Sequence, residues 1–306
     1  MSTSLRAGVE CRTDLVFARP GGGPLELDLY LPIGIDGPVP VALFVHGGGW
    51  IVGSRKEFGE RCSLLAEEGV AVAAVDYRLS GVAAFPAQVE DLRAAVSWLR
   101  ENGTDHGLGT ERLGVWGASA GGHLAALLAL APEPTEATRV QAAVCWFGPS
   151  DLTPDGLALA PDPACPPPAF LETVQMPLGV GNPPDPPVEA RLLGVADVTE
   201  APELARRASP LMQVRGAAPP LLICHGDRDG LVAIEHSTRL HEAVIGAGGT
   251  STMLVVAGAN HEDERFDQPA VIGAVAGFFR RHLHSDDACP RFPERLHRSP
   301  SSGAIH

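Results

Sequence analysis

The chain has 306 residues, of which 45% are hydrophobic and 20% are charged, and its formal net charge is −14. Such a chain can bury a sizeable core, and its length fits one large α/β domain. The acidic balance argues against nucleic acid or an anionic membrane as a partner, because both require a basic face. No stretch has the pattern of a membrane span or a signal peptide, so a cytoplasmic location is expected.

The six cysteines are scattered along the chain without a Cys-x-x-Cys pair. Cys145 and Cys224 lie in apolar, strand-like runs and are expected to be small core residues. This usage suits a reducing compartment and offers no spacing for a metal site. We therefore expect an activity that needs neither a metal nor a cofactor.

Apolar runs predict eight strands, and apolar residues at helical spacing predict the helices between them. The predicted strands are residues 14–18, 25–31, 41–45, 70–75, 113–116, 142–147, 221–224 and 252–256. The predicted helices are residues 58–68, 88–102, 120–131, 188–193, 202–208, 234–246 and 268–284. The first two strands are expected to pair as an antiparallel edge hairpin. The later alternation of strand and helix predicts a mostly parallel sheet with helices on both faces.

One connection interrupts this alternation. Between residues 153 and 187 the prolines are dense enough to block regular helix and sheet. A connection of this length indicates an insertion over the functional edge of the sheet, with disorder of part of it as the alternative. We expect residues 1–284 to form a single domain, with residues 153–210 as its insertion or cap region and residues 285–306 as a flexible tail.

A glycine-rich loop, His46-Gly-Gly-Gly-Trp50, follows the third predicted strand. Its backbone N–H groups can point at a ligand, which ester hydrolysis requires because the oxyanion of the tetrahedral intermediate needs pre-aimed donors. A flexible turn is the alternative. We expect His46 to be a hydrogen-bonding residue of the loop, and Asp76 and Arg78, after the next strand, to form structural ion pairs.

The central motif is Gly117-Ala-Ser119-Ala-Gly121, which lies between a predicted strand and a predicted helix. A strand, a sharp turn and a helix in this order are the context in which a serine becomes a nucleophile on a parallel sheet. The turn needs glycines where neighbouring backbone comes close, and the helix N-terminus favours negative charge. An ordinary Gly/Ser turn is the alternative, and only an acid, a base and an oxyanion hole elsewhere would exclude it.

Partners for this serine follow the last two predicted strands. His261 lies in the loop after the final strand and would be the general base that takes the proton of Ser119. Asp227 and Asp229, after the strand before it, compete to orient the imidazole, and their spacing does not choose between them. The weaker candidates for this acid are Asp197, Glu262, Asp263 and Glu264. His123, on the helix after the serine, is expected to pack or to form a hydrogen bond there.

With these motifs the chain resembles the esterase and lipase group of the α/β-hydrolase superfamily, nearest to the bifunctional feruloyl and acetyl esterase-like proteins. Hormone-sensitive-lipase-like esterases and kynurenine formamidases are similar at a greater distance. The resemblance spans roughly residues 41–283 apart from the proline-rich insertion. The motifs that carry it are His46-Gly-Gly-Gly-Trp50, Asp76-Tyr-Arg-Leu79, Phe85-Pro-Ala-Gln-Val-Glu-Asp91, Gly117-Ala-Ser-Ala-Gly-Gly-His-Leu124, Ala208-Ser-Pro-Leu211, His225-Gly-x-x-Asp229 and Gly258-Ala-Asn-His261.

The resemblance implies an α/β-hydrolase fold and a catalytic triad of Ser119, His261 and Asp229. The family pattern His-Gly-x-x-Asp falls on Asp229 and thereby favours it over Asp227. The oxyanion hole that the resemblance implies is formed by the backbone N–H groups of Gly48, Gly49 and Ala120.

Three departures from the family patterns bear on the substrate. The serine turn is Gly-Ala-Ser-Ala-Gly and not Gly-Asp-Ser-Ala-Gly, which disfavours the hormone-sensitive-lipase-like group. The glycine loop reads Gly-Gly-Gly-Trp and not Gly-Gly-Tyr-Trp, which disfavours kynurenine formamidase activity. His261 precedes Glu262-Asp263-Glu264, where relatives usually carry glycine and an aromatic residue. We predict that this acidic run disfavours anionic substrates.

Together these features predict a serine hydrolase that cleaves small-molecule carboxylic esters of small or medium acyl groups through an acyl-Ser119 intermediate. Trp50, Phe147 and Phe266 are the candidates for the apolar lining of its substrate pocket. An amidase or formamidase with the same triad is the alternative within enzymes. A non-catalytic ligand-binding protein is the alternative of another class, although such proteins usually lose a triad member. The natural ester and the oligomeric state stay open.

Overall fold

The computed structural model describes residues 8–130, 135–161, 163–165, 185–216 and 218–284. Their strands form an eight-stranded sheet in the order β1-β2-β4-β3-β5-β6-β7-β8. The strands are β1 (Val9–Ala18), β2 (Leu25–Pro32), β3 (Val39–Val45), β4 (Ala71–Val75), β5 (Leu108–Ala118), β6 (Ala142–Trp146), β7 (Leu221–Gly226) and β8 (Ser251–Val256). The α-helices are α1 (Gly59–Glu67), α2 (Ala87–Asn102), α3 (Ala120–Leu130), α4 (Pro154–Leu157), α5 (Val188–Leu193), α6 (Pro202–Arg207), α7 (Pro210–Gln213), α8 (Glu235–Gly246) and α9 (Pro269–Leu283).

The sheet is antiparallel at one edge and parallel elsewhere. β2 pairs antiparallel with β1 and with β4, and the other neighbouring strands pair parallel. The predicted edge hairpin is therefore confirmed. Its first strand begins at Val9, ahead of the predicted residue 14, because residues 10–14 of this edge strand are polar and partly exposed and carry no apolar run.

Successive side chains of the central strands point to opposite faces and fill two cores. Leu43 and Val115 face α2, α3 and α8 in one core. Phe44 and Trp116 face α1 and α9 in the other. Helices thus cover both faces, as predicted for this fold class.

The region between β6 and β7 contains short helices. The predicted segments 188–193 and 202–208 are helical, as α5 and α6. The structure adds α4, for which no helix was predicted; its proline stands in the first turn, where no N–H is needed, and the Thr153 side chain caps its N-terminus. The dense proline run at 166–168 and the predicted tail at 285–306 lie outside the described residues, so the division into domain, insertion and tail stays a prediction.

The functional loops leave the sheet at one edge. β3, β5, β7 and β8 run parallel, so their carboxyl ends lie on the same side. The glycine loop follows β3, the serine turn follows β5, and the loops with Asp229 and His261 follow β7 and β8. This edge is where open α/β sheets form their binding sites. In the described part of the chain, no helix is long and apolar enough to cross a membrane.

Candidate active site

Ser119 occupies a strained turn between β5 and α3. Its φ is +55°, in the left-handed region that side chains other than glycine rarely adopt. The flanking glycines are required by close approach: a Cβ at Gly117 would lie 2.1 Å from the oxygen of Gly121, and a Cβ at Gly121 would lie 2.0 Å from the oxygen of Val45. The backbone N–H of Ser119 donates to the oxygen of Trp146 at 2.9 Å, which anchors the turn to β6.

Three side chains form a continuous line of hydrogen bonds. Ser119 Oγ lies 2.9 Å from His261 Nε2. His261 Nδ1 lies 2.8 Å from Asp229 Oδ2. The side chains of His261 and Asp229 are each 1% exposed, so water competes little for the bond between them. The arrangement allows His261 to accept the serine proton while the carboxylate holds its other nitrogen protonated.

The carboxylate of Asp229 is held on all sides. Its Oδ1 accepts the backbone N–H groups of Leu231 at 2.9 Å and Val232 at 2.8 Å. Burial raises the pKa of this carboxyl, but the charge of His261 and the hydrogen bonds from His225 and His261 outweigh burial and hold the pKa well below its ordinary value. Asp227, the competing acid, is exposed and accepts the N–H of Gly258. The geometry therefore places Asp229, and not Asp227, against the histidine.

His225 is a second histidine on the same carboxylate, and the sequence analysis assigned it no role. Its Nε2 lies 3.1 Å from Asp229 Oδ2 and 3.0 Å from the oxygen of Val232. Since both are acceptors, Nε2 carries the proton, and Nδ1 accepts the hydroxyl of Ser237 at 2.7 Å. The His-Gly-x-x-Asp spacing contains both residues, but only the folded loop shows that they touch.

The glycine loop lies beside the serine. The φ angles of Gly48, Gly49 and Trp50 are +109°, +57° and +60°. The backbone N–H groups of Gly48, Gly49 and Ala120 donate to no acceptor among the described residues. An oxyanion is typically bound by backbone N–H groups of this kind, which lie in a glycine loop and at a helix N-terminus and have no acceptor within their own protein.

The other histidines near the loop have structural roles, as predicted. His46 Nδ1 lies 2.7 Å from the oxygen of Gly47, and its ring stacks on Tyr77 at 4.3 Å. His123 Nδ1 accepts the indole N–H of Trp50 at 3.2 Å, and its Nε2 lies 2.7 Å from the oxygen of Ala208. These contacts fix the conformation of the loop.

The predicted ion pairs of the Asp76–Leu79 motif are also present. Asp76 binds the side chain of Arg55 and accepts its backbone N–H at 2.9 Å. Arg78 binds Asp91 at 2.7 Å. Both ion pairs join the loop after β4 to neighbouring elements, so these charged side chains have a structural role.

Two cavities open from Ser119. The first, of about 280 Å³, also contacts Ala120 and is lined mainly by apolar side chains. We call it the apolar cavity, and its characteristic residues are Trp50, Leu157, Leu159, Val188, Leu231 and His236. The second, of about 440 Å³, we call the acidic cavity, and its characteristic residues are Glu57, Glu60, Arg61, His261, Glu262 and Asp267.

One part of the predicted pocket lining is wrong. Trp50 lines the apolar cavity, as predicted. Phe147 and Phe266 are fully buried in the core beneath α9 and belong to the described lining of neither cavity. Phe147 packs against the ring of His261 at 4.7 Å and against Phe266 at 4.5 Å. Phe147 therefore packs against the histidine from the core side, and Phe266 packs behind Phe147.

The three acidic residues that follow His261 have different surroundings in the structure. Glu262 accepts a hydrogen bond from Arg61 Nη1 at 2.8 Å and lines the acidic cavity. Asp263 binds Arg265 at 2.9 Å, and Glu264 is exposed. Of the three acids, only Glu262 belongs to the cavity wall. Arg61, which the sequence analysis missed, is buried and also binds Asp267 at 2.6 Å.

Among the described residues, no group of three or more histidine, cysteine, aspartate or glutamate side chains is placed to hold a metal ion.

Known proteins are similar to this chain in sequence and in fold. The model of the BD-FAE family matches residues 27–244. Two proteins of Mycobacterium tuberculosis are each 30% identical: esterase LipC over 246 residues, which is 75% of this chain and 54% of that protein, and esterase LipQ over 244 residues, which is 76% and 52%. The chain thus spans about half the length of the curated relatives it matches.

Solved structures share the fold. A truncated carbohydrate esterase from gut microbiota has a TM-score of 0.73 and 24% identity, covering 90% of this chain and 96% of its own. The propionate-bound esterase Est2 of Thermogutta terrifontis has a TM-score of 0.66 and 23% identity, covering 90% and 94%. The strand order, the turn at Ser119 and the family match lead to one conclusion: this chain has an α/β-hydrolase fold and belongs to the BD-FAE family.

Proposed function

We propose that this protein is a serine hydrolase that cleaves carboxylic esters through an acyl-Ser119 intermediate. The observation that carries the proposal is the buried line of hydrogen bonds from Ser119 through His261 to Asp229. The similar proteins LipC and LipQ are named esterases, which supports the same chemistry.

In the first half of the reaction, Ser119 Oγ attacks the ester carbonyl carbon as its proton passes to His261 Nε2. Asp229 holds the Nδ1–H of the imidazole and stabilises the positive charge that the ring acquires. The carbonyl oxygen becomes an oxyanion, which the N–H groups of Gly48, Gly49 and Ala120 bind. His261 then gives its proton to the departing alcohol.

In the second half, water replaces the alcohol and the same groups act again. His261 takes a proton from the water as its oxygen attacks the acyl carbon. The second tetrahedral intermediate collapses with return of the proton to Ser119 Oγ, and the carboxylic acid leaves.

The proposed acyl group is small or medium in size. The apolar cavity, at about 280 Å³, offers apolar side chains that can contact a short hydrocarbon chain. The similar esterase Est2 was solved with propionate bound and with butyrate bound, which supports short acyl groups.

The test combines a covalent probe with matched substrates. A fluorophosphonate probe should label the wild-type protein and should not label Ser119→Ala, and butyrate esters should be hydrolysed only by the wild type. Butyryl anilides should react far more slowly than butyrate esters, because an anilide has the poorer leaving group. Faster turnover of the anilide would favour an amidase, and absence of labelling would favour a ligand-binding protein.

A further inference from the structure

The two cavities that share Ser119 cannot receive the same half of an ester. His261 lines the acidic cavity and is not among the described residues that line the apolar cavity. The leaving alcohol oxygen must lie within hydrogen-bonding reach of His261 Nε2, because that nitrogen supplies its proton. The alcohol half of the substrate therefore extends into the acidic cavity, and the acyl half extends into the apolar cavity.

Most of the charged side chains that line the acidic cavity are negative. Its wall includes four carboxylates, and Arg61 is the only cation among its described lining residues. Arg61 is held in place by its bonds to Glu262 and Asp267, and its guanidinium lies 5.0 Å from the Trp146 ring centroid. One guanidinium bound to two carboxylates leaves this wall rich in hydrogen-bond acceptors.

Among the four carboxylates of this wall, Glu262 is the neighbour of His261 in the chain. It directly follows His261, and its φ of +54° is a conformation that favours glycine. Its Oε2 accepts the hydrogen bond from Arg61, whereas its Oε1 meets no donor among the described residues. A Cβ placed on Gly47 would lie 3.3 Å from Ser119 Cβ and 3.4 Å from Glu262 Oε1, so both flank the same point of the glycine loop.

We propose that Glu262 determines specificity for the alcohol half of the substrate: its Oε1 accepts a hydrogen bond from a hydroxyl group carried by that alcohol. The inference rests on the proposed ester hydrolysis and adds to it a residue that sets the preference between alcohols. Arg61 is shared between Glu262 and Asp267, and its hydrogen bond to Oε2 holds the Glu262 side chain so that Oε1 acts as a fixed acceptor. The remaining carboxylates of the cavity exclude anionic alcohols.

The experiment compares two esters with the same acyl group, propyl butyrate and 2,3-dihydroxypropyl butyrate, by kcat/KM. The wild type should prefer the dihydroxypropyl ester. Glu262→Gln keeps the shape of the side chain and an oxygen for Arg61, but turns an amide N–H₂ toward the cavity. The preference should fall about tenfold, the scale of one hydrogen bond to a charged acceptor, because only the dihydroxypropyl ester carries a hydroxyl group that loses its acceptor.

A second variant and a control guard against a purely structural effect. Glu262→Gly relaxes the positive φ and also removes the carboxylate, so it should lose the same preference. Glu264→Gln, at an exposed position two residues along, should retain it.

The outcomes separate the two proposals. Equal losses on both esters in Glu262→Gln and Glu262→Gly, or an unchanged preference, would overturn the role of Glu262 while leaving ester hydrolysis intact. Failure of the wild type to hydrolyse either ester or to react with the fluorophosphonate probe would instead overturn the proposed function.

Discussion

The two cavities at Ser119 are built from different parts of the chain and are held together in different ways. The wall of the apolar cavity includes Leu157, Leu159 and Val188, which come from the long connection between β6 and β7 and are partly exposed. The wall of the acidic cavity includes residues of α1 and of the loop after β8, joined by the buried side chain of Arg61. Partly exposed side chains tolerate substitution far better than a buried ion pair does.

The two cavity walls should therefore differ in how well they tolerate substitution. Acyl preference can be altered in the connection without disturbing a catalytic residue. The alcohol side is coupled to the chemistry, because Glu262 is covalently next to His261 and is bonded to Arg61. Substitutions at the two walls should therefore have separable effects on the two halves of an ester.

The largest effect on activity is expected from substitution of Asp229, because the triad lies where the two cavities meet. Asp229→Asn should lower kcat about 10⁴-fold, because an amide that accepts the N–H groups of Leu231 and Val232 turns its N–H₂ toward the imidazole and imposes the wrong tautomer. The loss should be equal for esters that differ in acyl group or in alcohol. Asp227→Asn, in the same loop but exposed, is the matched control and should keep nearly full activity. A loss confined to one class of ester would contradict a shared triad.

The next largest effect concerns the loss of folding stability at low pH. We expect it to arise from a histidine that supports the wall of the apolar cavity. Burial lowers the pKa of His123 to about 4, and this ring accepts the indole N–H of Trp50 in the apolar cavity wall. The unfolded chain takes up this proton near pH 6.5, so the stability is fully present above that pH and is lost as pH falls toward 4. The expected loss from this histidine is about 2 kcal/mol between pH 8 and pH 5.

Urea unfolding at a series of pH values measures this loss. His123→Gln should flatten the pH dependence by about the same amount, whereas His241→Gln, at a half-exposed position on α8, should leave it unchanged. Burial also lowers the pKa of His236, in the same cavity wall, to about 4, so a second dependence of similar size should persist in His123→Gln. An unchanged slope in His123→Gln would contradict the burial of a neutral imidazole.

Part of the fold and part of the candidate site could be predicted from the sequence alone. The fold, its edge hairpin and the strand-turn-helix around Ser119 follow from local patterns of apolar residues and glycines, and the structure has all three, although β1 and β5 begin earlier than predicted. The motif at His225–Asp229 selected the acid that the geometry places against His261. These features depend on short segments, which a linear pattern can encode.

What the sequence did not show depends on contacts between distant segments. Arg61 reaches Glu262 and Asp267 across some two hundred positions of the chain, and no local pattern connects them. Phe147 was predicted to line the pocket, but its ring packs down into the core. The direction of a side chain at a strand end is set by tertiary packing, which periodicity does not encode.

A smaller effect is expected from the support of the triad acid. His225→Gln removes the imidazole N–H that lies 3.1 Å from Asp229 Oδ2. Because the two backbone N–H groups and His261 still hold the carboxylate, kcat should fall only about tenfold and KM should change little. Ser237→Ala, which removes the hydroxyl on the far side of the ring, should cause a still smaller loss. An unchanged kcat in His225→Gln would show that this histidine only fills space.

The smallest effect, and the sharpest test of separate cavities, is expected from Leu159→Ala. Shortening this partly exposed side chain enlarges the apolar cavity, so longer acyl chains should gain relative to butyrate. One newly buried methylene contributes about 0.8 kcal/mol, which corresponds to roughly fourfold in the ratio of kcat/KM for hexanoate and butyrate esters of p-nitrophenol. The preference for 2,3-dihydroxypropyl over propyl butyrate should stay the same, because the alcohol lies on the other side of Ser119. If both ratios changed together, the two cavities would behave as one pocket, and the assignment of acyl and alcohol halves to separate walls would be wrong.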